Sequence, residues 1–477
     1  MECWGENLYH IHYEDSDEED LSEDEVEECI ENNRNRKSIV NKRPKKNSSE
    51  KSDKDLDDGG DVCSLWSLLP NSSEFTKEKG PVQWVTDKAS ANPPPGPISS
   101  KFDGDLISAI PKVVKFYLFI YERQRIWQRR ANEEKPYTKN VMLREFHWCN
   151  NYRQLDRGTC YLRSQILKLK DDHYGGKLPG RKEWIVQVLW MSFCYRTCNQ
   201  VESFDSNSNP ANGIPRLGEF DADFRDYIMG FKGTGTAFFT GAHQTTTFDN
   251  YVAWCEESQK SEIHQVANKI YDAGSSLEKV FKIVKSLPGI GQFFAWQITC
   301  DLKEAKCLGD NVNENDFCEL GPGAINGLAL IFGRNGGADN RLERTKLLLD
   351  LQSYVEELAE ISFPVWNNQA ITLTVLEHGL CEYSKFCTIS KANRGGRQTI
   401  KRAWKSRSYL DSKKQCHNCS KSRNACNGVC ARCDLCGLMF CGDCSEKLAN
   451  PCGAGHSDGW ICGRCQEFEG MPFGDAK

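Results

Sequence analysis

Eleven of the chain's 24 cysteines fall between Cys416 and Cys465. Eight of them form four CxxC pairs in the order Cys416-x2-Cys419-x13-Cys433-x2-Cys436-x4-Cys441-x2-Cys444-x17-Cys462-x2-Cys465. Each CxxC turn brings two thiolates within reach of one tetrahedral ion, and two such turns complete a Zn2+ site. Interleaving, with pairs one and three on one ion and pairs two and four on another, predicts a cross-brace. Its two metals substitute for a core too small to stand alone. Cys426, Cys430, Cys452 and His456 are left over with x3 spacings. They form a third Zn2+ site or remain free, and Cys430 with Cys433 is an alternative to the Cys433 and Cys436 pair. Clustering of this kind excludes an evenly disulfide-stapled secreted protein and points to a reducing compartment, where the scattered cysteines are ordinary thiols.

The rest of the chain separates by composition. Glu14 to Glu28 is an almost unbroken acidic block, and a basic run from Arg34 to Lys46 follows it. Such charge cannot bury enough apolar surface to offset chain entropy, so residues 1–100 are expected to be a disordered acidic/basic tail, its basic run a candidate nuclear-import signal. Two apolar islands, Cys63–Leu69 and Val82–Val85, stand out in it as candidate docking peptides. The net charge of −6 is concentrated in the acidic block, leaving the remainder near neutral or slightly basic. No apolar run reaches membrane-spanning length and the first residues lack a signal-peptide layout, so no membrane partner is expected.

Residues 105–390 carry mostly helical apolar spacing. Val113, Phe116, Tyr117, Ile120 and Trp127 fall on one face of a helix whose other face carries Glu122, Arg123, Arg125, Gln128 and Arg129. Leu277, Val280, Phe281 and Val284 form a second row and Leu348, Leu351, Val355 and Leu358 a third, whereas Gly235 to Phe248 suggests a Gly/Thr-rich loop. Residues 391–414 are a basic linker, including Lys401 and Arg402, suited to salt-dependent contact with DNA phosphates. Residues 415–468 are the zinc-finger domain. The fold class is therefore mainly α, followed by a small cross-brace zinc domain.

Between two helical rows lies Leu287-Pro288-Gly289-Ile290-Gly291, the layout of a helix-hairpin-helix. Gly289, Ile290 and Gly291 would let the backbone turn sharply and aim amides at a phosphate, which positions DNA without reading its sequence. This hairpin resembles that of base-excision DNA glycosylases. Bifunctional members carry a Lys two residues beyond the second glycine, where this chain has Phe293, and the aspartate context that follows is replaced by Asn315 to Ala324.

A narrower resemblance rests on motifs in one order: Phe119–Arg123, Phe146–Arg157 (FHWCNNYRQLDR), Phe239–Ala242, the LPGIG hairpin, Gly321–Ala324 with Gly327-Leu328, and Glu377–Tyr383. Together they look like the helical domain found with 5-hydroxymethyl-deoxyuridine DNA kinases, the α-glutamyl/putrescinyl-thymine pyrophosphorylase family. The resemblance implies a DNA-glycosylase-like helical fold acting in thymine hypermodification, in which an amine displaces pyrophosphate from an activated base. No GxxxxGK[ST] sequence occurs in the chain, so a kinase would have to act in trans.

Such a displacement requires cations or amide dipoles for the leaving group, a carboxylate for the amine proton and a pocket for an extruded base. Arg153, Asp156 and Arg157 suit the first two roles if one helical turn carries them on one face. Arg123, with Trp127 a turn away, offers another cation. Gly321 and Gly323 could form an amide nest that holds DNA phosphate. Glu377 and Glu382 are further carboxylates, Asn150 can read a base edge, and His147, His243 and His378 read as structural histidines. An Arg-Asp-Arg cluster is equally the mark of a structural ion-pair network, so a non-catalytic reader of modified DNA or chromatin and a monofunctional glycosylase are the alternative functions.

The cysteine module is similar to PHD fingers with Cys in place of His. It also looks like the four-CXXC zinc-finger domain of the monoamine-oxidase A repressor and cell-division-cycle-associated proteins, through Cys416–Cys419, Phe440–Cys444 and Trp460–Cys465. A ubiquitin-ligase RING lacks the Cys-x-His step here. With eight basic and eight acidic residues from Asp411 to Lys477, the module would rely on the basic linker for DNA, and a histone-tail partner is open. These features place the protein in the nucleus.

Overall fold

The computed structural model describes residues 65–75, 80–102, 105–131, 137–145, 148–206, 208–234, 237–239, 246–309, 311–333, 340–366 and 369–394, with five short strands outside them. Two compact units emerge: Met1–Asp57 with Phe193–Lys260, and Asp58–Ser192 with Ser261–Lys477. In chain order the principal helices are α1 (Pro81–Ala91), α2 (Leu106–Ala131), α3 (Val141–Glu145), α4 (Arg157–Tyr174), α5 (Arg181–Cys198), α6 (Ala222–Met229) and α7 (Phe248–Glu257). They continue with α8 (Ile263–Ala273), α9 (Leu277–Val284), α10 (Gln292–Glu304), α11 (Pro322–Phe332), α12 (Arg341–Ala359) and α13 (Leu373–Arg394). The strands are an antiparallel ladder of Glu2–Trp4, Leu8–His12 and Glu18–Ser22 and a pairing of Ala431–Arg432 with Met439–Phe440. The described residues are thus mainly α, as expected.

The larger unit is built around α2. Val113, Val114, Phe116, Tyr117, Leu118, Phe119 and Ile120 are all buried, which no one-sided helix achieves. The helix is enclosed by α1, α11, α12, α13 and a 3-10 turn at Leu65–Leu68. This enclosure corrects the expectation of a solvated Glu122/Arg123 face: both side chains are buried. Glu122 accepts from Thr138 Oγ1 at 2.6 Å and pairs with Arg129 at 2.9 Å, so its charge is compensated. Arg125 does face solvent, while Trp127 is only half-buried. The tail boundary at residue 100 is likewise corrected. Leu65, Trp66, Leu69, Trp84, Val85 and Ala89 are buried, so the apolar islands are part of the folded unit. Their neighbours are too polar for a periodic signal, and only the waiting surface of α2 gives them a place to bury.

Peripheral helices follow the apolar rows. Leu348, Leu351, Val355 and Leu358 of α12 are buried, and the Tyr117 hydroxyl donates to the Leu348 carbonyl at 2.6 Å, tying α12 to α2. Ser276 caps α9, whose Leu277, Val280, Phe281 and Val284 turn inward against α10. The connection buries Leu287 and Ile290, and Gly289 takes φ +71°, a conformation in which a side chain would be strained. In the smaller unit, Phe204, Phe224, Phe238, Phe239 and Tyr251 form an aromatic cluster, and Cys198 and Ser203 both donate to the Phe238 carbonyl. No described helix is long and apolar enough to cross a membrane.

The acidic block outside Glu18–Ser22, the basic run, His147, His243, the basic linker with Lys401 and Arg402, and the proposed zinc ligands Cys416, Cys419, Cys426, Cys430, Cys433, Cys436, Cys441, Cys444, Cys452, His456, Cys462 and Cys465 lie outside the described residues.

Candidate active site

The FHWCNNYRQLDR motif leads from α3 into α4, and its second half crosses the face of the larger unit as a loop pinned at several points. Asn151 donates to the Ile120 carbonyl and accepts from Arg123 Nη1 at 2.9 Å, which joins the loop to α2. The Cys149 amide donates to Glu382 on α13 at 3.1 Å. Arg153 donates to the Gln297 side-chain oxygen, and Gln154 to Glu304 at 2.8 Å, both on α10. Tyr152 is buried against Trp366 and donates to the Gln369 carbonyl at 2.6 Å. Glu304 also pairs with Arg163 at 3.0 Å and Lys303 at 2.5 Å. Burial works against its ionisation, but Lys303 and Arg163 outweigh burial and hold the carboxyl below its usual range.

Arg153 and Arg157 do not share a helical face. Residues Arg153–Leu155 form one 3-10 turn, Asp156 is extended at φ −73°, ψ 138°, and α4 begins only at Arg157. The helix cannot start earlier because Asp156 is its N-cap residue, with non-helical dihedrals. Arg153 is buried, while Asp156 and Arg157 are half-buried. Asn150, expected to read a base edge, has its amide nitrogen committed to the Leu155 carbonyl at 2.7 Å.

On α13, Glu377, His378, Cys381 and Glu382 recur at i, i+1, i+4 and i+5 and therefore occupy one face. Burial pushes Glu377 up to about 7, opposed by Arg153 and Trp296 and reinforced by Glu319. His378 is lowered to about 3 by burial and by Arg153 and Arg123, against Asp156, and is therefore neutral at pH 7. Burial lowers Arg123, with Glu382 opposing. Burial and the adjacent carboxylates raise both thiols, Cys149 and Cys381, so neither is a ready thiolate. Arg123, Arg153, Asp156 and Glu382 thus belong to one electrostatic neighbourhood with Glu377 and His378.

Three nitrogen atoms in this neighbourhood are buried without a hydrogen-bond partner, Arg123 Nη2, Arg153 Nε and His378 Nδ1, while the Trp296 indole donates toward the Glu377 carboxyl. Buried polar atoms are almost always paired in folded proteins. Their concentration around one carboxyl of raised pKa is the arrangement expected of a site that completes its hydrogen bonds with a ligand. Chemically, it offers two cations, a carboxyl that exchanges a proton near pH 7, and a neutral imidazole. Trp296 and Gln297 were not legible as site residues; their only signal is a Gln interrupting the apolar row of α10. Among the described residues no cluster of His, Cys, Asp and Glu suits a metal. The cavity between α4 and α10, lined in part by Leu162, Ile166, Leu167 and Asp301, touches Arg163 and Glu304 but not Glu377.

The glycine motifs divide. Gly291 is exposed and caps α10, and a Cβ there would meet nothing within 4 Å, so backbone at the turn is approachable. The Ile290 amide is used inside the turn, donating to the Leu287 carbonyl at 3.2 Å. Gly321 caps α11 with similar open space, whereas a Cβ on Gly323 would lie 2.5 Å from Cys381 Sγ. Close packing of α11 on α13 therefore accounts for the second glycine.

The chain matches the family described as "5-hmdU DNA kinase, helical domain" over residues 111–395. Among curated proteins it is similar to a protein named "5-hmdU DNA kinase" from Bacillus phage SP10, with 24% identity over 306 residues, 59% of this chain and 45% of the relative. The chain therefore spans less than half the length of that relative. No solved structure matches it.

Proposed function

Because the chain belongs to the 5-hmdU DNA kinase helical-domain family, we propose that it acts in modified-pyrimidine metabolism, as a transferase that displaces pyrophosphate from an activated 5-hydroxymethylpyrimidine in DNA. The relative's name is that of a kinase, but the part matched is a helical domain, and this sequence contains no GxxxxGK[ST] phosphate loop. Phosphorylation is therefore assigned to a separate kinase that supplies the activated base.

The observation that supports this reading is the set of unpartnered nitrogens around Glu377. In the reaction, an amine nitrogen attacks the methylene carbon on C5. The C–N bond forms as the C–O bond breaks, and the electron pair leaves with the pyrophosphate oxygen. Arg153 and Arg123 take up the leaving charge through their free N–H groups, at sites already dehydrated and oriented. Glu377 accepts the proton from the nitrogen, a role for which a pKa of about 7 is well placed. Asp156 is a second carboxylate within electrostatic reach, and Glu382 holds the Cys149 loop in position. On the same reading, the α9–α10 hairpin engages the DNA backbone. The Cys416–Cys465 module, carrying two or three Zn2+, delivers the enzyme to DNA or chromatin in the nucleus.

The test is incubation of the full chain with DNA bearing 5-hydroxymethyl, pyrophosphorylated and oxidised pyrimidines and a panel of amines, followed by mass analysis of nucleosides. An amine adduct only from the pyrophosphorylated base, lost in Glu377→Gln, is expected. ATP-dependent phosphorylation by the chain alone would establish a kinase instead, and release of free base a glycosylase. Binding without any product would make the protein a reader.

A further inference from the structure

Helix α13 carries Glu377 and His378 in its second turn, and its first turn is held from outside the helix. The amide of Leu373, its first residue, donates to Asn315 Oδ1 at 3.3 Å. The hydroxyl of Thr372, the residue before the helix, donates to Glu314 at 3.4 Å. Both acceptors lie 58 residues earlier in the chain, in the loop that leaves α10 for α11. A helix leaves its first amides without intrahelical partners, and a carboxylate beside them is favoured by the helix dipole. Glu314 and Asn315 supply both.

This loop is itself fixed. Asn313 accepts from the Asn315 amide at 3.0 Å and donates to Asp316 at 2.7 Å, so local side-chain bonds set the turn. Phe317 packs on Phe281 of α9 and Trp296 of α10, its ring centroid 5.7 Å from each. Glu314 pairs at 2.7 Å with Lys303 in the last turn of α10, and Lys303 also pairs with Glu304. Burial works against the Lys303 charge, but Glu304 and Glu314 outweigh it and hold the ammonium above its usual range. Helix α10 also carries Gln297, which accepts from Arg153, and Trp296, which donates toward Glu377. Arg153 and Glu377 are therefore both referenced to α10. A cap from within α13 would stabilise that helix without fixing where it lies. A cap contributed by the loop that leaves α10 does both.

We propose that the Glu314–Asn315 segment is a strut that sets Glu377 at its working distance from Arg153, with Asn315 as the positioning residue. This rests on the reading of Glu377 as the base and Arg153 as the leaving-group cation, two groups that must flank one reacting carbon. The test is carboxyl-13C titration by NMR of the full chain labelled at glutamate, the Glu377 signal being identified by its loss in Glu377→Gln, alongside turnover of pyrophosphorylated DNA with an amine. Asn315→Ala should let water into the first turn of α13, so that Glu377 titrates below its wild-type value of about 7. Turnover should fall about 2- to 30-fold with KM unchanged, the equivalent of one lost helix cap, and its acid limb should move to lower pH with the titration. Arg153, Glu319, Cys300, Cys318 and Cys381 are the charged or titratable described groups that face Glu377, and all are kept in these variants. Asn315→Asp can accept the same amide and should restore both readouts. Asp221→Ala removes a comparable cap from α6 in the smaller unit and should alter neither. An unshifted titration in Asn315→Ala, an equal shift in Asp221→Ala, or no restoration by Asn315→Asp overturns the strut. The expected titrations with no amine adduct from wild type leave the strut standing and overturn the transferase. Asn315 is exposed, so its variants should fold.

Discussion

Gly327→Ala probes the helix crossing on which the candidate site depends. Helix α11 packs on α13 more extensively than any other described helix pair, and Gly327 sits at the contact. A Cβ there would lie 2.3 Å from the Leu380 carbonyl oxygen, 2.9 Å from its carbon and 3.1 Å from the Leu380 Cα. All three are backbone atoms, so no rotamer change relieves the clash; α13 must move by about 1 Å. Overpacking of this kind costs about 1–3 kcal/mol. Replacing a helix-interior Gly by Ala returns roughly 1 kcal/mol. Because the clash is with backbone, the overpacking falls in the upper half of its range, and the net expectation is a loss of about 1–2 kcal/mol, or about 2–8 °C in Tm for a unit of this size. Activity should fall further, because α13 carries Glu377 and Glu382. Three companions calibrate the result in urea and thermal unfolding. Gly323→Ala meets only the Cys381 sulfur, which can rotate, and Gly379→Ala meets the Ile120 methyl at 2.9 Å, so both should cost less. Gly321→Ser occupies open space and adds a helix cap, so it should be neutral or slightly stabilising. Gly327→Ala as stable as wild type, or Gly323→Ala worse than it, would refute the assignment of this crossing as backbone-limited.

Glu377→Gln should change how stability depends on pH. The folded pKa of about 7 lies above the usual 4.5, so the folded state retains a proton that the unfolded chain releases. The contribution is fully present below pH 4.5 and is lost as pH rises through 7, amounting to at most about 3 kcal/mol. Urea unfolding should show the wild type losing ground to the Gln variant between pH 5 and pH 8; parallel profiles would remove the raised pKa. Glu304→Ala removes the buried carboxylate shared by Arg163, Lys303 and Gln154, and should cost about 3–5 kcal/mol in denaturant unfolding. A loss under 1 kcal/mol would show the network to be dispensable. Metal analysis of purified protein should find two or three zinc per chain, with fewer than two refuting the cross-brace ligands.

Local pattern was enough to identify the helical class and several helices. Leu277, Val280, Phe281 and Val284 are buried as their spacing requires, as are Leu348, Leu351, Val355 and Leu358. These rows are legible because a helix with one neighbour must segregate its faces. Residue spacing misleads at α2, where Glu122 and Arg123 are buried: a helix enclosed on all sides has no solvated face to reveal its orientation. Spacing misleads also at Arg153 and Arg157, because it cannot show that Asp156 interrupts the helix between them.

The candidate site shows the same division. Arg123, Arg153, Asp156 and Glu382 could be named from residue chemistry and motif order, since charged residues among apolar rows stand out in one dimension. Their convergence with Trp296, Gln297, Glu377 and His378 could not, because it joins α2, α10, α13 and a loop separated by up to hundreds of residues along the chain. By itself the sequence determined the helical class and the apolar rows that its outer helices turn inward. Tertiary structure alone decided that Glu377 holds a proton near neutrality, since that property comes from burial and from neighbours brought together only by folding.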